Sequence, residues 1–202
     1  QLVFIGAGAS ANEPRDWLAR DVYHANPAQD AVLSHMLRQV DGDGAAFSAL
    51  ELYSCFPAVP KMARSNLRLS PAVEPSVTGG LSFFGGPLNV YMAHAACAMT
   101  RAIRDGANLG LLYGQGEFVT KHHALILARE PQGNAVLEDA GAQQAADARR
   151  GPIPPTDDKP EGEATIETFT IPHDPSGQPI QGVVIARLTS GARTLARIPP
   201  DH

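Results

Sequence analysis

Little in this sequence would mark a charged or membrane-bound partner. Lys and Arg together number 16 against 21 Asp and Glu, a formal net charge of −5, and no run of basic residues occurs. The electrostatic footprint expected for nucleic acid or an anionic bilayer is therefore missing, which leaves small molecules or other proteins as the expected partners. No apolar stretch approaches the roughly 18 residues of a membrane span. The opening "QLVFIGAGAS" also lacks the basic start and long apolar core of a signal peptide. Cysteine is scarce. Cys55 and Cys97 are the only two, each beside an apolar residue, which suits a reducing compartment such as the cytoplasm better than a disulfide scaffold. Carboxylates are scattered, with no pair at a useful spacing for glycosidic or phosphoryl chemistry. No Cys-x-x-Cys or His-x-x-x-His arrangement supports a metal, and none is expected.

What is present reads as a layered α/β chain of 202 residues, one domain with a small annex. Leu2 to Gly6 is an apolar run closed by small residues, as in a buried strand, and a chain that opens directly on it looks like a cut through a longer one. "PAQDAVLSHMLRQVDGDG" puts Ala28, Val32, Leu33, Met36, Leu37 and Val40 on one helical face and stops at Gly42 and Gly44. "FSALELYSCF" predicts a second buried strand, and "AVPKMARSNLRL" a short helix with Pro60 in its first turn. A helix is predicted from Pro87 to about Arg104, ending at Gly106. On it His94, Cys97, Val90 and Arg101 share a face that helix–sheet packing would explain. "NLGLLYG" and "HHALILARE" are two further strands. From 131 to 160 Pro, Gly, Ala, Gln and Asp dominate, the composition of a linker. Beyond it, 161–202 offer three strands split by "DPSGQP" and "SG", the meander of a small, incomplete, OB-like β domain.

The stretch "SVTGGLSFFGGP" raises the functional question. Gly79, Gly80, Gly85 and Gly86 allow positive φ or close approach by another group, and a helix from Pro87 would aim its free N–H groups and positive dipole end at an anion or a developing oxyanion. It is equally open that the glycines only let the loop pack against a strand.

Taken in order, "ELYSCFP", "SVTGGLSFFGGP" and "GLLYGQGEFVTKHH" resemble the C-terminal half of the thiolase superfamily over roughly 20–130, in the thiolase-like acetyl-CoA acetyltransferase branch. Residues 161–202 resemble the extra β domain that this branch carries. The resemblance implies a layered α-β-α domain over 1–130, with a mixed sheet flanked by helices. It also implies lipid-metabolic acyltransfer on an acyl-CoA, with the thioester as substrate and no further cofactor, through an acyl-cysteine from an N-terminal half. Tyr53, Ser54, Cys55 and Phe56 stand where the sterol-carrier-type thiolases have His-Asp-Cys-Phe, so Cys55 and Phe56 match. Gly86 stands where the family has the His of Gly-His-Pro, and Gly114 of "YGQGE", with Gly116 beyond it, stands about where the second catalytic Cys belongs. Glycine transfers no proton, so these positions cannot run the ordinary mechanism.

The remaining catalytic candidates are Cys55 and, by the resemblance, His122 of the "KHH" strand, expected to face the site. Tyr53, Phe56, the four loop glycines, Pro87, Gly114 and Gly116 are the expected substrate-binding wall. Two readings follow: one wall of an acyltransferase whose nucleophile lies in another half, or a degenerate fold that binds acyl-CoA or a protein without turnover. Either should leave an apolar face for an N-terminal thiolase half or a second copy.

Overall fold

The computed structural model describes residues 1–133 and 141–200, which divide into two units: 1–13 with 26–149, and 14–25 with 150 onward. The first unit is built on a sheet of order β1-β4-β3-β2, with β1 Phe4–Asn12, β2 Ala49–Leu52, β3 Leu109–Gly116 and β4 Lys121–Ala128. β1 and β3 run antiparallel to β4, while β2 lies parallel to β3, so the sheet is mixed. β1 runs further than its apolar opening suggests. Its small residues continue the ladder through a register shift between Ile5 and Gly8, and Ala9 and Ala11 are buried.

Helix α1, Pro27–Arg38, starts as its sequence demands. The Asn26 side chain accepts from Gln29 N at 2.8 Å and Pro27 fills the first turn, where a missing N–H costs nothing. Its apolar stripe joins α2, Ala58–Asn66, over one face of the sheet, around Leu33, Met36, Leu52, Leu111, Tyr113 and Ile126. Ala142 and Ala146 belong to the same core, because 142–147, inside the stretch read as a linker, form helix α5. The composition misled there: small alanines are what let a short helix lie close to α1 and β1. Residues 134–140 of that stretch lie outside the described residues.

The short helix α3, Leu81–Phe84, and then α4, Tyr91–Arg104, follow β2 and α2. Tyr91, Ala95, Met99 and Ile103 of α4 recur every fourth residue and bury against Leu112 and Leu127 on the other face of the sheet. Each large side chain so buried contributes about 1.5–3 kcal/mol.

The second unit is a meander of β5 Ala164–Thr170, β6 Gly182–Leu188 and β7 Arg193–Ile198, antiparallel throughout and in that order. The strap 14–25 joins it through Arg193, which is fully buried. One guanidinium nitrogen donates to the Glu167 carboxylate at 2.6 Å, others to the carbonyls of Leu18 at 2.7 Å, of Arg20, and of Asp21 at 3.3 Å. A buried charge must be paired and its donors filled, and here backbone distant in sequence fills them. Among the described residues no helix is long and apolar enough to cross a membrane.

Candidate functional site

Tyr53 to Phe56 leave the carboxyl end of β2. Tyr53 packs edge-on against Tyr91 with ring centroids 5.3 Å apart. The Ser54 Oγ accepts from Leu81 N at 3.1 Å. Cys55 is half-buried and takes the amide of Gln115, whose own Oε1 is buried with no hydrogen-bond partner. Burial pushes the Cys55 thiol up, and the bonds from Gln115 and backbone only partly oppose it. A thiol so placed is not poised as a thiolate. Phe56 is 42 % exposed.

The glycine loop is tied down by a carboxylate that sequence reasoning passed over. Glu51, fully buried in β2, accepts from Ser76 Oγ at 2.8 Å, Thr78 N at 3.2 Å, Thr78 Oγ1 at 3.0 Å and Tyr91 Oη at 2.7 Å. Burial, first of all, pushes the Tyr91 phenol up to about 12, with Glu51 adding to it. The signal was available: one acid inside the apolar "ALELY" needs buried partners.

Two of the four glycine amides expected to face a ligand are spent within the loop. Gly80 N donates to Ser76 Oγ at 3.0 Å, and Gly85 N donates to Leu81 O at 3.0 Å. Among the described residues Gly86 N has no such partner. Gly79, Gly80 and Gly85 have φ of +84°, +82° and +88°, which glycine alone adopts cheaply, and a Cβ at Gly80 would lie 2.8 Å from Ser54 Oγ. Gly86 differs. Its φ is ordinary and nothing lies within 4 Å of where its Cβ would be. Pro87 does not begin the long helix: Leu88, at φ +53°, breaks the path, a 3₁₀ turn spans Leu88–Val90, and α4 starts at Tyr91.

Two further expectations are corrected by the side of the sheet each residue occupies. His122 points away from the glycine loop, on the face shared with Ala124 and Ile126, and is fully buried. Gln29 of α1 donates to Tyr113 Oη at 2.8 Å, Tyr113 Oη lies 2.7 Å from His122 Nδ1, and His122 Nε2 lies 3.1 Å from Val119 O. A carbonyl only accepts, so Nε2 carries the hydrogen and both ring nitrogens are engaged in the core. Gly114 faces α4, where Met92 fills the space a side chain would take, 3.1 Å from the site of a Cβ. Its bareness serves helix–sheet approach. Gly116, at the end of β3, meets only Lys121 at ordinary contact distance.

The α4 residues assigned to packing instead line the opening. His94 is half-buried, Cys97 and Arg101 are exposed, and together with Phe84, Gly85, Gly86 and Pro87 they bound a cavity of about 570 Å³. The His94 ring sits 5.5 Å from that of Phe84. The face was misjudged because every fourth residue from Tyr91, rather than from Val90, turns to the sheet.

Residues 143–201 match the additional C-terminal domain of thiolase-like protein type 1. The crystal structure of a monomeric SCP2-thiolase like protein type 1 from Mycobacterium smegmatis superposes with a TM-score of 0.82 at 32% identity. The chain belongs to the thiolase-like proteins that carry this domain. The match covers 96% of this chain and 43% of that one, so the thiolase-like chain spans less than half of its relative's length. No curated protein matches the sequence. The thiolase-like fold accounts for the mixed sheet flanked by helices and for the separate three-stranded sheet.

Proposed function

We propose that this thiolase-like chain forms one wall of an acyl-CoA thioester site and binds the thioester without supplying the group that turns it over. The observation that carries the reading is Gly86. The fold requires neither its φ nor its lack of a side chain, so the hydrogen there serves the cavity in front of α4 rather than the packing behind it. The Gly86 N–H, without a partner among the described residues, is a donor suited to a thioester carbonyl.

Chemistry is limited by what surrounds the opening. The Cys55 thiol is held protonated by burial, and the His122 imidazole is spent in the core. Among the described residues His94 is the one imidazole lining the cavity, and it would act only on a nucleophile from elsewhere. That keeps a second reading, an acyltransferase completed by another thiolase half. Phe83 and Leu88, each 87% exposed, and Val90, 50% exposed, form the apolar surface that such a half or a second copy would cover.

The test is acetyl-CoA titration by calorimetry on the 202-residue chain and its Gly86→Trp variant, with intact mass after incubation. Saturable binding that Gly86→Trp abolishes, with no added mass, is expected. Turnover by this chain, an acyl adduct on Cys55 or Cys97, or binding indifferent to Gly86→Trp would overturn the reading.

A further inference from the structure

The second unit contains a cavity that the thioester reading does not use. It measures about 590 Å³, within the size range of small-ligand sites, and is enclosed on two sides. One wall is a face of the meander. Thr168, Ile185 and Leu195 form one row across the three strands, and Thr170 and Val183 form the start of the next, so a single pleat presents all five side chains together. The other wall is the 3₁₀ turn Trp17–Ala19, which brings Trp17 and Leu18 over that face.

This second wall is fixed in place. Asp16 caps the turn by accepting from Leu18 N at 2.9 Å, and the buried Arg193, neutralised by Glu167, holds the Leu18 and Arg20 carbonyls. The Arg20 guanidinium lies 4.2 Å over the indole ring of Trp17. The opening therefore exists before any ligand arrives, and binding need not order its walls. Trp17 is nevertheless 43% exposed and Leu195 57% exposed, large apolar surfaces left uncovered inside a shaped cleft.

The polar groups lining the cavity select the ligand. They are the hydroxyls of Thr168 and Thr170 and the carboxylate of Asp16, whereas the Arg20 guanidinium is engaged on the ring of Trp17 and is not among the described lining residues, so the cavity wall itself offers acceptors, hydroxyl donors and a negative charge. A carboxylate head would be repelled there, whereas a hydroxyl head can donate to Asp16 and exchange hydrogen bonds with the threonines. We propose that this cavity binds a single hydrocarbon chain ending in an uncharged hydroxyl head. The site lies wholly within the second unit and stands independently of the thioester reading.

Trp17 is the sole tryptophan of the chain, so the cavity carries its own reporter. The experiment titrates the 202-residue chain with 1-decanol and, separately, with decanoate, following tryptophan emission. Two variants of exposed lining residues, Leu195→Lys and Thr170→Lys, and an exposed control outside the lining, Ile153→Lys, are run alongside, with far-UV circular dichroism to confirm folding. A saturable change with 1-decanol is expected, with an apparent Kd raised tenfold or more in whichever lining variant folds and unchanged in Ile153→Lys. Decanoate should bind at least tenfold more weakly. No saturable change with 1-decanol, or one that survives both lining substitutions, would overturn the site. Equal affinity for decanoate would overturn the assignment of the head group. An emission that shifts with protein concentration alone would mean that a second copy covers the cleft, and would also overturn it.

Discussion

The two units of this chain are held together by different physics. The first rests on two apolar clusters pressed against opposite faces of one sheet, and two of its fully buried polar groups, Glu51 and His122, are each met by more than one hydrogen bond. Among the described residues the second has only four buried hydrophobic ones, Val184, Ile185, Ala186 and Leu188, and its fully buried large side chain is the guanidinium-bearing Arg193. A small meander cannot bury enough apolar surface to order a strap of backbone as well. Arg193 does so by hydrogen bonding to carbonyls, which a hydrophobic side chain could not. The stability of the second unit should accordingly depend on charge, and that of the first on shape.

The largest effect should come from Arg193→Ala. Removing it leaves Glu167 with Arg187 alone and takes the donors from the carbonyls of Leu18, Arg20 and Asp21, at a cost of about 1–3 kcal/mol for each carbonyl left buried and unsatisfied. Chemical denaturation read by Trp17 emission should show the second unit melting early, while far-UV circular dichroism retains the transition of the first. Coincident loss of both signals would remove the contrast.

Next is Gly110→Ala, the shape test in the first unit. A Cβ there would collide with the Sδ of the fully buried Met99. Overpacking of this kind costs about 1–3 kcal/mol, visible as a lowered denaturation midpoint without change in the Trp17 transition. Gly86→Ala meets nothing within 4 Å and should leave stability unchanged or raise it slightly, so the pair separates a packing glycine from a free one.

The smallest loss of stability is expected in acid. Burial raises the Glu167 carboxyl, but the Arg193 and Arg187 guanidiniums together outweigh it, leaving it below the ordinary value of 4.5. A carboxylate with a lowered folded value stabilises fully above its unfolded value, and that stability is lost as pH falls through the folded one. Melting of the second unit between pH 6 and pH 3, followed at Trp17, should therefore drop further than that of the first.

Much of the architecture could be read directly from local pattern. Asn26-Pro27 starts α1, the stripe from Ala28 to Leu37 faces the core, and the meander follows its turn residues, Asp174 accepting from Ser176 N at 2.8 Å and from Gln178 N at 2.9 Å. Each of these signals acts within a few residues. The site was less legible. His122 and Gly114 sit next to the right loop in sequence, yet strand alternation sends one to the α1 face and the other under Met92. His94 and Cys97 lay on a helix whose outward face could not be told from its inward one by composition, since alanine occurs on both.

The amino-acid order alone determined where α1 begins and which of its residues face the core, where turns divide the strands of the meander, and that four glycines precede α4 with no imidazole beside Pro87. Only the tertiary structure decided which glycines are bare for packing and which for open space, that Glu51 anchors the loop, and that a strap from 14–25 completes the second unit through Arg193. The reason is range. Capping and periodicity are settled between neighbours, whereas the room beside a glycine and the partner of a buried charge depend on chain far away in sequence.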